Sequence, residues 1–321
     1  MSLILIVVPT VSAHTPLKPD EDIHSLETAF EIENPTKSWT LYRELHETAE
    51  AEYYELQLKP GERLRISIYV PTIEEPSFAP NLAVMGPGIE SMDALPEFVE
   101  KPSDVGRALI EASRPSKPEF EPFTPSSYYY LADFDLEVST GGIYYFAVYE
   151  QFRGGRYGIA IGYKEEFSIY EWLKIPLDVI GIHIWEGQPL IIILAPMLGC
   201  LILGFGLLVW KSRLGRDTLG LVATTAGLLY LGGGFMSFMQ MIIALNYAGY
   251  TPSALLTIIF VSLPILLGFI MLRKTTRGPG VWYLKDRAII AALGLLGLFF
   301  WAGLLLGPAL ALLASILPVK K

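Results

Sequence analysis

Cysteine is almost missing from this 321-residue chain: Cys200 is the only thiol, so no internal disulfide forms and any soluble core is held by packing alone. Motifs that carry common chemistries are missing too. There is no CxxC pair, glycine-rich phosphate loop or serine nucleophile elbow. His46-Glu47-Thr48-Ala49-Glu50 begins like a zinc-protease helix, but Glu50 stands where the second histidine is required. Asn34-Pro35-Thr36 has proline in the middle and is no glycosylation acceptor. These gaps leave no specific catalytic activity to name.

Charge is missing from four long stretches. Residues 189–210, 219–245, 253–272 and 288–317 contain no Asp, Glu, His, Lys or Arg. Each reaches the roughly 20 residues that a spanning helix needs. A soluble amphipathic helix of that length would keep a polar face. Four transmembrane helices are therefore expected within 188–321. Because ion pathways, proton relays and voltage sensors use intramembrane charges, ion-coupled transport is disfavoured. The most polar feature is Ser237 and Gln240 among Met236, Met239 and Met241, either a small-ligand or soft-metal site or ordinary packing with one interhelical hydrogen bond.

The charge that is present is divided. From residue 188 onward ten Lys or Arg face only Asp217 and Asp286, a net of +8, and the total of −9 leaves −17 for the first 187 residues. An acidic half of this kind repels nucleic acid and anionic headgroups. Basic residues crowd the first and third connections between the apolar runs, and the second has none. By the positive-inside rule the first and third are cytoplasmic and the acidic half lies outside; Lys320 and Lys321 then sit awkwardly on the outer side. Trp185, Trp210, Trp282 and Tyr283 fall at the expected boundaries. Small residues at four-residue spacing, Gly303/Gly307, Ala223/Gly227 and Ala195/Gly199, suit either close helix contacts or ordinary glycine use in membrane helices. At the start, Leu3 to Val8 is apolar and Val11-Ser12-Ala13 suits signal peptidase, so 1–13 is expected to be a cleaved signal, although no basic region precedes it.

Residues 14–164 read as β. Leu64, Ile66, Ile68 and Val70 alternate with Arg65, Ser67 and Tyr69, and Lys59-Pro60-Gly61-Glu62 forms a turn from the preceding strand at 53–58. Strands at 144–149 and 157–163 flank Arg153-Gly154-Gly155-Arg156, which predicts a second hairpin. Gly158, Ala160 and Gly162 share one side of the return strand and imply close approach by another layer. Short strands with regular turns predict an antiparallel β-sandwich or jelly roll.

The run Glu52-Tyr53-Tyr54-Glu55-Leu56-Gln57-Leu58-Lys59-Pro60-Gly61-Glu62-Arg63-Leu64-Arg65-Ile66-Ser67-Ile68 resembles the opening hairpin of pre-peptidase C-terminal-type domains. Gly141 to Tyr149, followed by Tyr157 to Ile161, is similar to their closing hairpin. The resemblance covers about half of the outer domain and none of the membrane half. It implies a secreted β-sandwich accessory module, often a binding module and sometimes calcium-associated, without catalytic residues. The chain departs from that pattern at 71–125, an insert with ten prolines expected to be mostly irregular loop over the sandwich. Phe120, Phe123, Tyr128, Tyr129 and Tyr130 read first as the half-buried contacts of a loop folded onto a sheet face, and alternatively as an aromatic recognition patch. Residues 165–187 mix Trp172, Ile180 and Trp185 with Glu171, Asp178 and Glu186, as suits a connector at the membrane surface.

Metal chemistry has one coherent candidate. Cleavage after Ala13 makes His14 a new amino terminus whose α-amino group and imidazole chelate copper, with His24 or His46 completing the set. Carboxylates at Asp20, Glu21, Asp22, Glu27, Glu31 and Glu33 offer calcium oxygen ligands but lack an EF-hand spacing, and a solvated acidic face explains them as well. The favoured reading is a non-enzymatic membrane-anchored surface or accessory protein. It binds membrane lipid and, outside the cell, a protein, peptide or glycan; a copper-handling protein or metalloenzyme subunit is the alternative. Oligomeric state is not legible.

Overall fold

The computed structural model describes residues 14–19, 22–211, 217–276 and 282–318. The expected signal at 1–13, Asp20, Glu21, most of the first basic connection, Arg277 and the two terminal lysines lie outside the described residues. Two compact units divide the chain. The first is Met1–Glu119 with Ser127–Trp172; the second is Phe120–Ser126 with Leu173–Lys321.

In chain order the strands are β1 (Thr15–Leu17), β2 (Phe30–Glu31), β3 (Trp39–Leu45), β4 (Glu50–Leu58), β5 (Arg63–Pro71), β6 (Asn81–Gly86), β7 (Gly106–Ile110), β8 (Glu119–Glu121), β9 (Ser126–Glu137), β10 (Gly142–Glu150) and β11 (Gly155–Ile161). They form one sheet ordered β1-β3-β11-β5-β9-β8 and another ordered β2-β4-β10-β6-β7. β3, β5, β9 and β11 of the first sheet and β4, β6, β7 and β10 of the second pair antiparallel, whereas β1 runs parallel to β3 and β2 to β4. The alternation read in β5 holds: Leu64, Ile66, Ile68 and Val70 are all buried in the core between the sheets. Tyr157, Ile159 and Ile161 of β11 and Tyr54, Leu56, Phe146 and Val148 of β4 and β10 join them. Each such aliphatic side chain contributes roughly 1.5–3 kcal/mol by leaving water.

Three details differ from the sequence reading. Neither expected hairpin pairs with itself: β4 and β10 lie in one sheet, whereas β5 and β11 lie in the other. Both turns are arches across the sandwich, because each flanking strand carries its own inward apolar row and is buried by facing the other sheet. The insert is also more ordered than expected. Leu82 and Val84 of β6 point into the core while Ala83 and Met85 point away, so a full strand forms inside the proline-rich stretch, with β7 beside it. Loop residues Leu95 and Val99 then cover the outward face of that sheet with Tyr53, Ala147 and Tyr149. Finally, the small-residue side of β11 is filled within its own sheet. A Cβ at Gly158 would collide with the ring of Tyr69, its cross-strand neighbour, whose hydroxyl lies 2.7 Å from that of Thr40.

The helices are α1 (Ile169–Trp185), α2 (Leu190–Trp210), α3 (Thr218–Ala248), α4 (Ala254–Thr275), α5 (Leu284–Phe299) and α6 (Leu306–Ile316). Three of them, α2, α3 and α4, are long and apolar enough to cross a membrane. Asp217 caps α3 by accepting from the Gly220 amide at 2.8 Å. Within their apolar windows α3 is 61% buried and α2 only 6%, so α3 is the centre of the helical unit and α2 lies at its rim.

The fourth apolar run is not one helix. It breaks after α5 at a turn where Trp301, Gly303, Leu304 and Leu305 all have positive φ (48°, 64°, 56° and 65°). The chain then folds back: Gly294 packs against Leu312, and Gly297 and Gly307 both face Tyr230 of α3. At 16 and 11 residues, α5 and α6 reach about 24 Å and 16 Å, short of the ~30 Å hydrocarbon core. The turn settles onto α3 where Gly233 lets backbone meet backbone, since a Cβ there would stand 2.7 Å from the Gly303 nitrogen.

Candidate functional site

An enclosed hollow of the helical unit lies at this turn. Its volume is about 100 Å³. Gly233, Met236 and Ser237 lie on one face of α3, and Thr257, Phe260 and Pro264 on one face of α4, by their three- and four-residue spacing. Ile175, Pro176 and Val179 of α1 form another wall, Phe300, Trp301, Ala302 and Leu304 the floor, and Pro122, Phe123 and Pro125 a lid. Phe260 is the hub: its ring stacks on Trp301 at 6.1 Å and meets Phe123 and Phe300 edge-on, each at 6.4 Å. The Thr257 hydroxyl donates to the Pro122 carbonyl at 2.8 Å and fixes the lid. Beside it the hydroxyl of Thr124 is buried without a hydrogen-bond partner. Glu121, at the start of the same segment, accepts from the Phe123 amide at 3.0 Å, and burial pushes its carboxyl up to about 7.

The aromatic residues of the alternative recognition patch are distributed. Phe120 packs on Met241, Ala244 and Ala254, and Phe123 reaches the hollow. Tyr128 and Tyr130 of β9 gather around Tyr69 at 4.7 and 5.5 Å, while Tyr129 packs towards the sandwich core under the Arg114 guanidinium. Gln240 does not line the hollow. It forms a reciprocal amide pair with Gln188, donating at 2.8 Å and accepting at 2.9 Å.

Among the described residues no group of three or more possible ligands contains two of the histidines of the copper reading. His14 is hydrogen-bonded through Nδ1 to the Ser38 hydroxyl at 2.7 Å, and burial, with Arg65 nearby, pushes its imidazole down to about 4. His24 lies 3.4 Å from Glu50 and groups with Glu50 and Glu52, a set that includes neither of the other two histidines. At His46 it is the backbone amide that approaches Glu50. Glu52 is a poor metal ligand because its oxygens are already engaged. Arg43 donates to both of them, at 2.9 Å from Nε and 2.5 Å from Nη2; the Tyr54 hydroxyl donates at 3.1 Å and that of Tyr157 more closely still. A cation there would meet the guanidinium first.

Sequence reasoning missed that network, which joins the two sheets through Arg43 and Tyr157 on one side and Glu52 and Tyr54 on the other. It also missed His183, buried on α1 with Nδ1 2.9 Å from Glu186. Three-residue spacing of His and Glu on a helix is the signal that would have found it. No protein-family model matches this chain, and a search of the curated proteins finds no match.

Proposed function

We propose that this chain is a multi-pass membrane protein that displays its β-sandwich outside the cytoplasm and acts as a non-enzymatic binding or accessory subunit, holding a single apolar group of a partner protein or peptide. One observation carries the reading: the roughly 100 Å³ aromatic hollow closed by Pro122, Phe123 and Pro125. Small-molecule sites usually occupy about 300–1,000 Å³, whereas a cavity of ~150 Å³ accepts benzene. A space of this size, smaller than that, accepts a small branched aliphatic side chain, not a whole metabolite. Its polar side-chain groups are the Ser237 hydroxyl, the Trp301 indole and the Thr257 hydroxyl, the last already donating to Pro122, too few to orient a glycan. Sidedness rests on the positive-inside distribution of the loop charges.

The test is photo-crosslinking in native membranes from a benzophenone amino acid at position 123. The expected product is one defined adduct that disappears when Val179→Phe fills the hollow, with the thermal midpoint of the protein unchanged. A diffuse ladder of adducts, or one indifferent to Val179→Phe, refutes the binding role. Sidedness is checked with Tyr163→Cys in a Cys200→Ala background, which a membrane-impermeant maleimide must label on intact cells.

A further inference from the structure

A second and larger hollow, about 500 Å³, runs along the rim helix α2. Pro196, Gly199, Cys200, Leu203, Gly204 and Leu207 form its α2 side, and Leu228, Leu231 and Phe235 of α3 with Leu272 of α4 form its back. The lining is almost wholly apolar, which excludes a polar solute. From Pro196 to Leu208 it extends about 18 Å along the helix. That is close to the ~15 Å depth of one leaflet of the hydrocarbon core. One end is chemically distinct: Leu207 and Leu208 lie within a turn of Lys211, and Leu272 adjoins Arg273, both exposed cations at helix C-termini. Among the described residues neither of the two acidic residues beyond position 188 forms an ion pair with them. Asp286 pairs with Lys274 at 2.5 Å, and Asp217 is held by the Gly220 amide and the Trp282 indole.

We propose that this groove holds one acyl chain of an anionic phospholipid, with the phosphate at Lys211 and Arg273. Tail length, apolar lining and positive charge at one end are the three features that such a lipid matches together, whereas a second copy of α2 would match only the lining. Electrostatic preference comes from the two cations, at about fivefold in retention per charge.

Glycine geometry supplies clean variants. A side chain at Gly199 would enter open space in the groove, and one at Gly206 meets open space outside it; a Cβ at Gly204 would collide with Leu228. The full chain is reconstituted in equal phosphatidylcholine and phosphatidylglycerol, extracted into non-ionic detergent and analysed by native mass spectrometry. Wild type is expected to retain one phosphatidylglycerol per chain, Gly206→Leu to behave the same, and Gly199→Leu to lose at least tenfold. Lys211→Gln with Arg273→Gln should abolish the preference for phosphatidylglycerol. Alkylation of Cys200, which lines the groove, should accelerate on delipidation and slow again when phosphatidylglycerol is returned. Retention unchanged in Gly199→Leu overturns the proposal. So does retention in the bilayer's own lipid ratio, or a dimer that Gly199→Leu splits without altering bound lipid, since either gives the groove a different occupant.

Discussion

Glu52→Gln isolates the buried charge network of the sandwich. The Glu52 side chain is 1% exposed and that of Arg43 16%, and they lie on different sheets. Glutamine keeps the shape and one acceptor oxygen but removes the charge that faces a guanidinium lying mostly out of water. Breaking such a pair from one side costs about 3–5 kcal/mol. The lower end is expected, since glutamine can still accept from a tyrosine hydroxyl. In a unit of about 160 residues, ~3 kcal/mol lowers the melting temperature by roughly 6–12 °C. The readout is tyrosine near-UV circular dichroism of the full chain in detergent during thermal unfolding. Arg43→Met combined with Glu52→Met removes both charges and should recover most of the loss, because an apolar pair of similar volume is neutral to stabilising. A loss below about 1 kcal/mol for the single variant, or a double variant as unstable as the single, refutes the assignment of Glu52 as the electrostatic centre.

The tyrosines give an independent handle on the same residues. Burial, reinforced by the Glu52 charge, holds the Tyr54 and Tyr157 hydroxyls protonated well above the usual tyrosine range. The folded state keeps these protons where the unfolded chain releases them, so stability falls as pH rises past about 10. Tyr157→Phe should be less stable at pH 7 through loss of a hydrogen bond to a carboxylate, about 1.5–3 kcal/mol, and should show a shallower alkaline slope. An unaltered slope would place Tyr157 outside the network.

Glu121→Gln should be neutral below pH 4 and stabilising above pH 7: the carboxyl is raised to about 7, so the wild type loses stability as pH climbs from the ordinary value through 7, and thermal midpoints across that range check it. Thr124→Val removes a buried hydroxyl that has no partner and should raise stability by roughly 1 kcal/mol, measured by denaturant titration; a loss would mean the hydroxyl is satisfied. Gln240→Leu strands one amide of the Gln188 pair and should destabilise by about 1–2 kcal/mol while leaving the crosslink from position 123 intact, because Gln240 does not line the aromatic hollow.

Alternation was a good guide to which side chains face inward, as β5 and β11 demonstrate, but it is silent on which strand lies alongside. The turn from Lys59 to Glu62 serves a hairpin or an arch equally well, so the sheet assignment was not legible. β6 hid between prolines at 80 and 87. Arg43 and Glu52 left a readable trace that was passed over: each occupies an inward position in an apolar alternation, and a charge placed there demands an opposite one. In the helical unit, length and hydropathy revealed the three long helices. The turn after Phe299 was marked only by Gly303, which reads equally as a helix contact, while Trp301, Leu304 and Leu305 adopt left-handed backbone without the glycine or asparagine that usually marks it. Phe123 was legible as an exposed aromatic. Its ring partners, drawn from α4 and that turn, were not.

The fold-back of the last apolar run bears on the charge argument that sets sidedness. Read as a fourth span, 288–317 carries the chain end to the side opposite the basic connections, and Lys320 and Lys321 count against the positive-inside assignment. As a hairpin it returns the chain to the side it left. Gly294 lies against Leu312, and Leu317 packs on the cluster of Leu219 and Ile290, where α3 and α5 begin. Leu317 therefore lies on the face that bears Trp282 and Asp217. The objection therefore stands or falls with the span count. Labelling decides it: a cysteine in place of Pro318, in a Cys200→Ala background, should resist an impermeant maleimide on intact cells and react once they are permeabilised. Reaction on intact cells, with Tyr163→Cys also reactive, would restore the four-span arrangement.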